Sequence, residues 1–330
     1  MATCCTNVTL ETEVDCEEEL CGEKICRFER YFAELFSRTD SLLDLINGNG
    51  IRFKIAFTAD QGLASTLQTT LANSFLNESQ DISLFGGDNN YYTGQALTIE
   101  SNWAQFDGLV TAGTAYPALG NHDMDIGGVT PWSPQTDKFN YLSNNQRYYH
   151  NYFEQGSLDL FVLNSGWNSA TATVEPSGNT LGSAQYQWFL NELGASCGKW
   201  KIVMFHHPYV SGTSNAVNTQ RVNPAMDWGY EALGIDLVLN GHTHTAQHLR
   251  HTGLNILDVS NGVMPLRAMS GSGTIYGSGA AETELVWSYA APGFTGDRHY
   301  ATIDIVGNAM VVSVKLASNS AVVYSFPIIK

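Results

Sequence analysis

Between positions 51 and 260 the apolar residues fall into short runs, and polar residues gather where those runs stop. Phe53 to Thr58, Ile82 to Phe85, Leu158 to Leu163, Lys201 to Phe205, Asp236 to Leu239 and Leu254 to Val259 read as buried strands. A further short strand is expected near Ala115. Gly182 to Leu193 and Asn223 to Leu233 read as helices between strands. Strands alternating with helices predict an α/β layered domain. The end differs: His299 to Val306, Ala309 to Leu316 and Ala321 to Ile328 predict an antiparallel meander, with turns at Gly307-Asn308 and Ser318-Asn319.

Residues 1–50 depart from this rhythm and are expected to form an appendage to a domain spanning 51–330. Ile25, Phe28, Phe32, Leu35, Thr39, Leu42 and Ile46 follow a 3-4 spacing, a heptad seam over three repeats that Asn47-Gly48-Asn49-Gly50 then stops. Such a helix, within residues 23–46, either makes a homo-oligomer or lies on its own domain. The appendage also holds five of the six cysteines, Cys4, Cys5, Cys16, Cys21 and Cys26. They read either as a disulfide or metal staple or as reduced thiols, and their spacing fits no zinc module.

Composition narrows the function classes. Of 330 residues, 43% are hydrophobic and 15% charged, enough apolar content for a sizeable core. The net charge of −16 and the lack of Lys/Arg clusters argue against nucleic acid as a partner. A small phosphorylated substrate stays open, because bound cations invert the local field. No apolar run is long enough for a transmembrane helix, so no membrane is expected. The start has no basic stretch followed by an apolar one. No signal peptide is therefore expected, and the protein reads as cytoplasmic or as exported or assembled by a non-classical route.

The chemistry sits at the strand ends. After the first strand comes Ala59-Asp60-Gln61-Gly62, and after the second Gly86-Gly87-Asp88-Asn89-Asn90-Tyr91. Gly120-Asn121-His122-Asp123 follows the strand near Ala115. His206-His207-Pro208 and Asn240-Gly241-His242-Thr243-His244 end two later strands. In open α/β sheets, ligands bind where strand C-termini meet loops. Each motif alone reads as a turn or a core histidine, but five in series point to a metal site.

In this order, Asp-x-Gly, Gly-Asp-x-x-Tyr, Gly-Asn-His-Asp, His-x-Pro and Gly-His-x-His resemble the calcineurin-like metallophosphoesterase superfamily. Tyr91, three residues after Asp88, makes the chain similar to the purple acid phosphatases. Gly87 to Gly94 looks especially like the small tartrate-resistant type. Gln185 to Phe189 and Trp200 to Pro208 extend the likeness, which covers about residues 50 to 330.

The resemblance implies a four-layer αββα sandwich holding two metal ions. Asp60, Tyr91 and His244 would hold the first ion, Asn121, His206 and His242 the second, and Asp88 would bridge them. A phenolate and carboxylates suit Fe(III); imidazoles and an amide oxygen suit Fe(II), Zn or Mn. Spacing alone leaves His206 and His207 equivalent, and likewise Tyr91 and Tyr92. The family pattern selects His206 and Tyr91 as ligands, so that Tyr92 and His207 line the pocket.

The implied reaction is hydrolysis of a phosphate monoester by a metal-bound hydroxide. His122, Asp123 and His207 are the expected catalytic side chains. His122 would stabilise the transition state or protonate the leaving group, or else support Asn121. Asp123 would orient His122. Many purple acid phosphatases carry another histidine about nine residues beyond the His-x-Pro ligand. Here Ser211 to Ala216 contains none, which leaves the general acid open. Two rival readings remain: a phosphodiesterase or nucleotide hydrolase on the same scaffold, with specificity in Asp125–Lys138 and Tyr209–Val222, or a structural or adhesion component of a larger, for instance viral, assembly.

Overall fold

Among the described residues, fifteen strands and five α-helices follow one another, and most begin or end where an apolar run does. The computed structural model describes residues 52–124, 132–143, 147–166, 175–213, 222–262, 271–289 and 297–330. The N-terminal cysteines, the heptad segment and its oligomer, and parts of the two specificity loops lie outside these residues. The first half runs β1 (Phe53–Thr58), α1 (Thr66–Leu76), β2 (Ile82–Phe85), α2 (Ala96–Trp103), α3 (Asp107–Thr111), β3 (Ala115–Pro117), α4 (Ser133–Lys138), β4 (Tyr149–Phe153) and β5 (Leu158–Val162). The second half runs α5 (Ala184–Ala195), β6 (Trp200–Met204), β7 (Val210–Thr213), β8 (Leu237–Asn240), β9 (Ala246–His251), β10 (Leu254–Val259), β11 (Gly271–Gly277) and β12 (Thr283–Tyr289). The meander β13 (His299–Val306), β14 (Ala309–Leu316) and β15 (Val322–Ile329) closes the chain.

The strands form two large sheets. The first has the order β15-β14-β13-β1-β2-β3, the second β12-β9-β10-β8-β6-β5-β4. Within the first, β1, β2 and β3 run parallel; within the second, β5, β6, β8 and β10 do. Parallel strands covered on both faces read as unbroken apolar runs. Leu158, Leu160, Ile202, Met204, Leu237 and Leu257 point into the core between the sheets, against Ile55 and Phe57. Their alternate neighbours Phe161, Val203, Val238 and Ile256 form a second cluster with Phe189 of α5 on the outer face.

On the far side, Phe75 of α1 and Trp103 of α2 pack on Phe85, with ring centroids 5.6 Å and 4.7 Å apart. Helices therefore cover the outer faces of both sheets, and the expected αββα sandwich is the observed fold. Aromatic contacts tie the two sheets together at more than one place. Phe53 meets Phe153 at 5.6 Å, and Trp287 stacks on Tyr324 at 4.5 Å.

One expected element is absent. Asn223 to Leu233 forms a single 3₁₀ turn, Pro224–Met226, followed by irregular chain. Gly229 and Gly234 adopt left-handed φ values of 68° and 74°, which stop any helix. The apolar residues there, Met226, Trp228 and Tyr230, instead plug the outer cluster beside Phe189 and Phe205.

Candidate metal centre

All five polar motifs emerge at C-terminal ends of parallel strands, where the two sheets face one another. Asp60 follows β1, Asp88 follows β2, and Asn121 and His122 follow β3. From the other sheet, His206 follows β6, and His242 and His244 follow β8. Asp60, Asp88, His242 and His244 have φ of 58°, 54°, 73° and 56°. Non-glycine residues avoid this left-handed region, and four in one place are strain of the kind functional sites retain. Glycine makes room: a Cβ on Gly120 would lie 2.2 Å from the Asp88 nitrogen and Oδ1.

One cluster gathers around the Tyr91 hydroxyl. It lies 3.0 Å from Asp88 Oδ2, 3.2 Å from Asp60 Oδ1 and 3.3 Å from His244 Nε2. Asp60, Asp88 and Tyr91 are buried. Burial, then the Asp88 and Asp60 carboxylates, push the Tyr91 phenol well above its usual pKa. A single phenolic hydrogen cannot satisfy two facing carboxylates, so this donor set fits a cation.

A second cluster gathers around His206. Its Nδ1–H donates to the Gly86 carbonyl at 2.7 Å, which leaves Nε2 facing Asn121 Oδ1 at 3.2 Å and Asp88 Oδ1 at 3.4 Å. Ring nitrogens of His206, His207 and His242 lie within 4.8 Å of one another. Burial opposes a charge on His206, but the Asp88 and Asp60 carboxylates outweigh it and raise its pKa to about 10. A positive charge is thus favoured here, the task a metal ion would perform. Burial works against the Asp88 carboxylate too, yet the charges of His206 and His122 hold it well below the usual range.

Backbone groups fix both carboxylates. The His242 N–H donates to Asp60 Oδ2 and the His122 N–H to Asp88 Oδ1, each at 2.8 Å. Between the last two histidines, the Thr243 hydroxyl donates to Asp258 at 2.5 Å, anchoring the loop. The structure brings Tyr91 into the first cluster and leaves Tyr92 half exposed. His206, not His207, reaches Asn121 and Asp88. His207 accepts or shares a hydrogen with Ser165 Oγ through Nδ1 at 2.7 Å. Burial and the His206 charge hold its pKa well below the usual range, which disfavours a charge on His207.

Asp123 does not orient His122. The His122 Nδ1–H donates to the Tyr92 carbonyl at 2.5 Å. Asp123 instead accepts from the Asn89 amide at 2.9 Å and the Gly120 amide at 2.8 Å, clamping the Asp88 loop to the Asn121 loop. Its fully buried position turns it away from solvent, and burial with the nearby Asp88 charge raises its pKa to about 7. Ser165 was missed in the sequence, although Asn164-Ser165-Gly166 follows β5 just as the other motifs follow their strands. Arg298 was missed as well. Burial lowers its pKa, while Tyr91 and Asp60 favour its charge. It precedes a strand, β13, instead of following one, so the strand-end pattern does not mark it.

Comparison with known proteins bears on the fold that carries these residues. Among solved structures, a purple acid phosphatase from yellow lupin (Lupinus luteus) seeds superposes with a TM-score of 0.63 at 15% identity, over 84% of this chain and 54% of that one. This chain thus spans about half the length of the lupin enzyme. A Plasmodium protein described as GAP50, the anchor in the inner membrane complex, gives 0.57 at 14% identity, over 84% and 89% of the two chains. PhoD gives 0.53 at 12% identity, over 84% and 70%. Such identities establish a shared fold. Residues 53–246, more than half of the chain and containing every residue of both clusters, match the calcineurin-like phosphoesterases, and the chain belongs to that family of metal-dependent phosphoesterases.

Proposed function

We propose that the chain is a dinuclear phosphomonoesterase of the purple acid phosphatase type. One observation carries this reading: Asp88 turns Oδ2 to the Tyr91 hydroxyl and Oδ1 to His206, one oxygen for each cluster. A carboxylate divided in this way suits a bridge between two cations. Asp60, Tyr91 and His244 would hold the first, a hard anionic set suited to Fe(III). Asn121, His206 and His242 would hold the second, suited to Fe(II), Zn or Mn. When bound, the ions supply neutralisation of phosphate charge and a water acidic enough to attack near or below neutral pH.

The chain's own residues do the rest. With Nδ1–H committed to Tyr92, His122 has Nε2 left for substrate, 3.9 Å from Asp88 Oδ2. When protonated, it donates to a phosphate oxygen or gives its proton to the departing alcohol, a role worth about 10²–10⁴-fold. His207, held by Ser165, supplies a hydrogen-bonding wall. Asp123 acts at one remove by fixing the loops that carry Asp88 and Asn121.

The Plasmodium relative is described as an anchor, so this fold can also serve as a scaffold. The full donor set favours hydrolysis. Plasma mass spectrometry, a visible spectrum and a panel of monoesters and diesters test the proposal. The expected result is about two metals per chain, iron included, a broad band near 500–600 nm, and faster monoester cleavage. Preference for diesters would move the chain to a phosphodiesterase, and failure to take up metal would favour the scaffold.

A further inference from the structure

We infer that the ring of Tyr92 is a stacking platform for the leaving group, so that the site favours phosphate monoesters whose alcohol carries a flat aromatic ring. The inference rests on the phosphomonoesterase reading above and adds a substrate class to it.

The argument begins with which site residues are open. Asp60, Asp88, Tyr91 and His206 are all at most 1% exposed and close the inner end of the centre. The His122 and His244 side chains keep 24% and 14% of their surface. A phosphate lying over Asp88 must therefore direct its ester oxygen outward, past the exposed side of the site. Of the two roles proposed for His122, proton transfer to the departing alcohol requires that the alcohol leave along the His122 side.

Tyr92 stands on that side. Its carbonyl holds His122 Nδ1 at 2.5 Å, and its ring meets the Tyr91 ring edge-on at 6.2 Å. Tyr91 in turn lies 4.4 Å from the His122 ring. The three rings are contiguous, and Tyr92, 51% exposed, is the one largely in solvent. No described residue bonds its hydroxyl, and the edge-on contact with Tyr91 leaves half of the residue exposed. An exposed aromatic face beside the exit of the leaving group gains most from another aromatic face, through offset or edge-on contact. The main-chain support of His122 comes from the Tyr92 backbone, so changing the side chain separates the two roles.

The test uses binding without turnover. Phenylphosphonate and methylphosphonate carry the same anionic head and cannot be hydrolysed. Calorimetric titration of each into the metal-loaded full chain reads the platform directly. Wild type is expected to bind the phenyl compound about threefold to tenfold more tightly than the methyl compound. Tyr92→Phe should keep that preference, and Tyr92→Ser should lose it with the melting temperature unchanged. Adenosine 5′-monophosphate against ribose 5-phosphate, compared by kcat/KM, then reports whether the ring sits on the ester oxygen or a sugar away. No preference in wild type, or a preference that survives Tyr92→Ser, overturns the platform. A metal-loaded wild type that binds neither phosphonate overturns the phosphomonoesterase reading itself, a distinct result.

Discussion

Replacing Tyr91 with phenylalanine removes one oxygen and little else. The ring stays buried and keeps its contact with His122 at 4.4 Å, while the hydroxyl disappears from between Asp88, Asp60 and His244. In metal-free protein the phenol can donate only one hydrogen bond, to a carboxylate. Losing a bond to a charged acceptor costs about 1.5–3 kcal/mol. At about 2.1 cal/mol/K of unfolding entropy per residue, that lowers the Tm of a domain this large by roughly 3–5 °C. In metal-loaded protein the deficit should be larger, because each tenfold loss of affinity adds about 1.4 kcal/mol at saturating metal. Paired melting curves on stripped and loaded protein, with metal counts and visible spectra, measure both terms. Equal deficits in the two forms, together with two retained metals and an unchanged spectrum, would refute Tyr91 as a ligand.

Three further outcomes follow from the geometry. Asp123→Ala strands the buried Asn89 and Gly120 amides and should cost about 2–6 kcal/mol by denaturant titration, with loss of metal; a neutral result would show that the clamp is not needed. Gly120→Ala forces a methyl into the Asp88 carboxylate and should abolish metal uptake while far-UV circular dichroism stays native; two bound metals would contradict the close approach. Burial holds His248 and His299 at about 4, below the ordinary 6.5. The unfolded chain then binds more protons than the folded one between these values, so stability is full above pH 6.5 and falls toward pH 4, by up to about 3 kcal/mol per histidine. The drop in Tm from pH 7 to 4.5 should shrink in His248→Gln; an identical drop in both proteins would exclude this histidine as a cause.

The parts of the fold that were legible share one physical property. β1, β2, β10, β13 and β14 are apolar on both faces or bounded by glycine turns, and their limits coincide with the expected ones. β9 escaped notice because Gln247, His248 and His251 are buried through hydrogen bonds, which hydrophobicity does not report. α1 was not read at all, its threonines being weak helix formers, and Asn223 to Leu233 was misread because its apolar residues plug the outer core from an irregular segment. At the centre, residue type and strand-end position marked the five motifs, but the choice of Tyr91 over Tyr92 and His206 over His207 came from the family resemblance. Asp123 was misassigned because adjacency to His122 says nothing about direction: the side chain turns inward to two backbone amides, and a carbonyl thirty residues away in sequence holds the histidine.

The origin of the candidate ligands bears on the protein's endurance. Asp60, Asp88, Tyr91 and Asn121 come from one sheet, and His206, His242 and His244 from the other, so the ions would act as a hasp across the open end of the sandwich. Ions present at a hundred times their dissociation constants would add about 2.7 kcal/mol for each independent site. A chelator would then weaken the molecule from that end first, exposing the strand-end loops to proteolysis before the distant Trp287–Tyr324 margin parts. How long the protein survives heat or protease would serve as a gauge of metal supply, readable before any substrate is found.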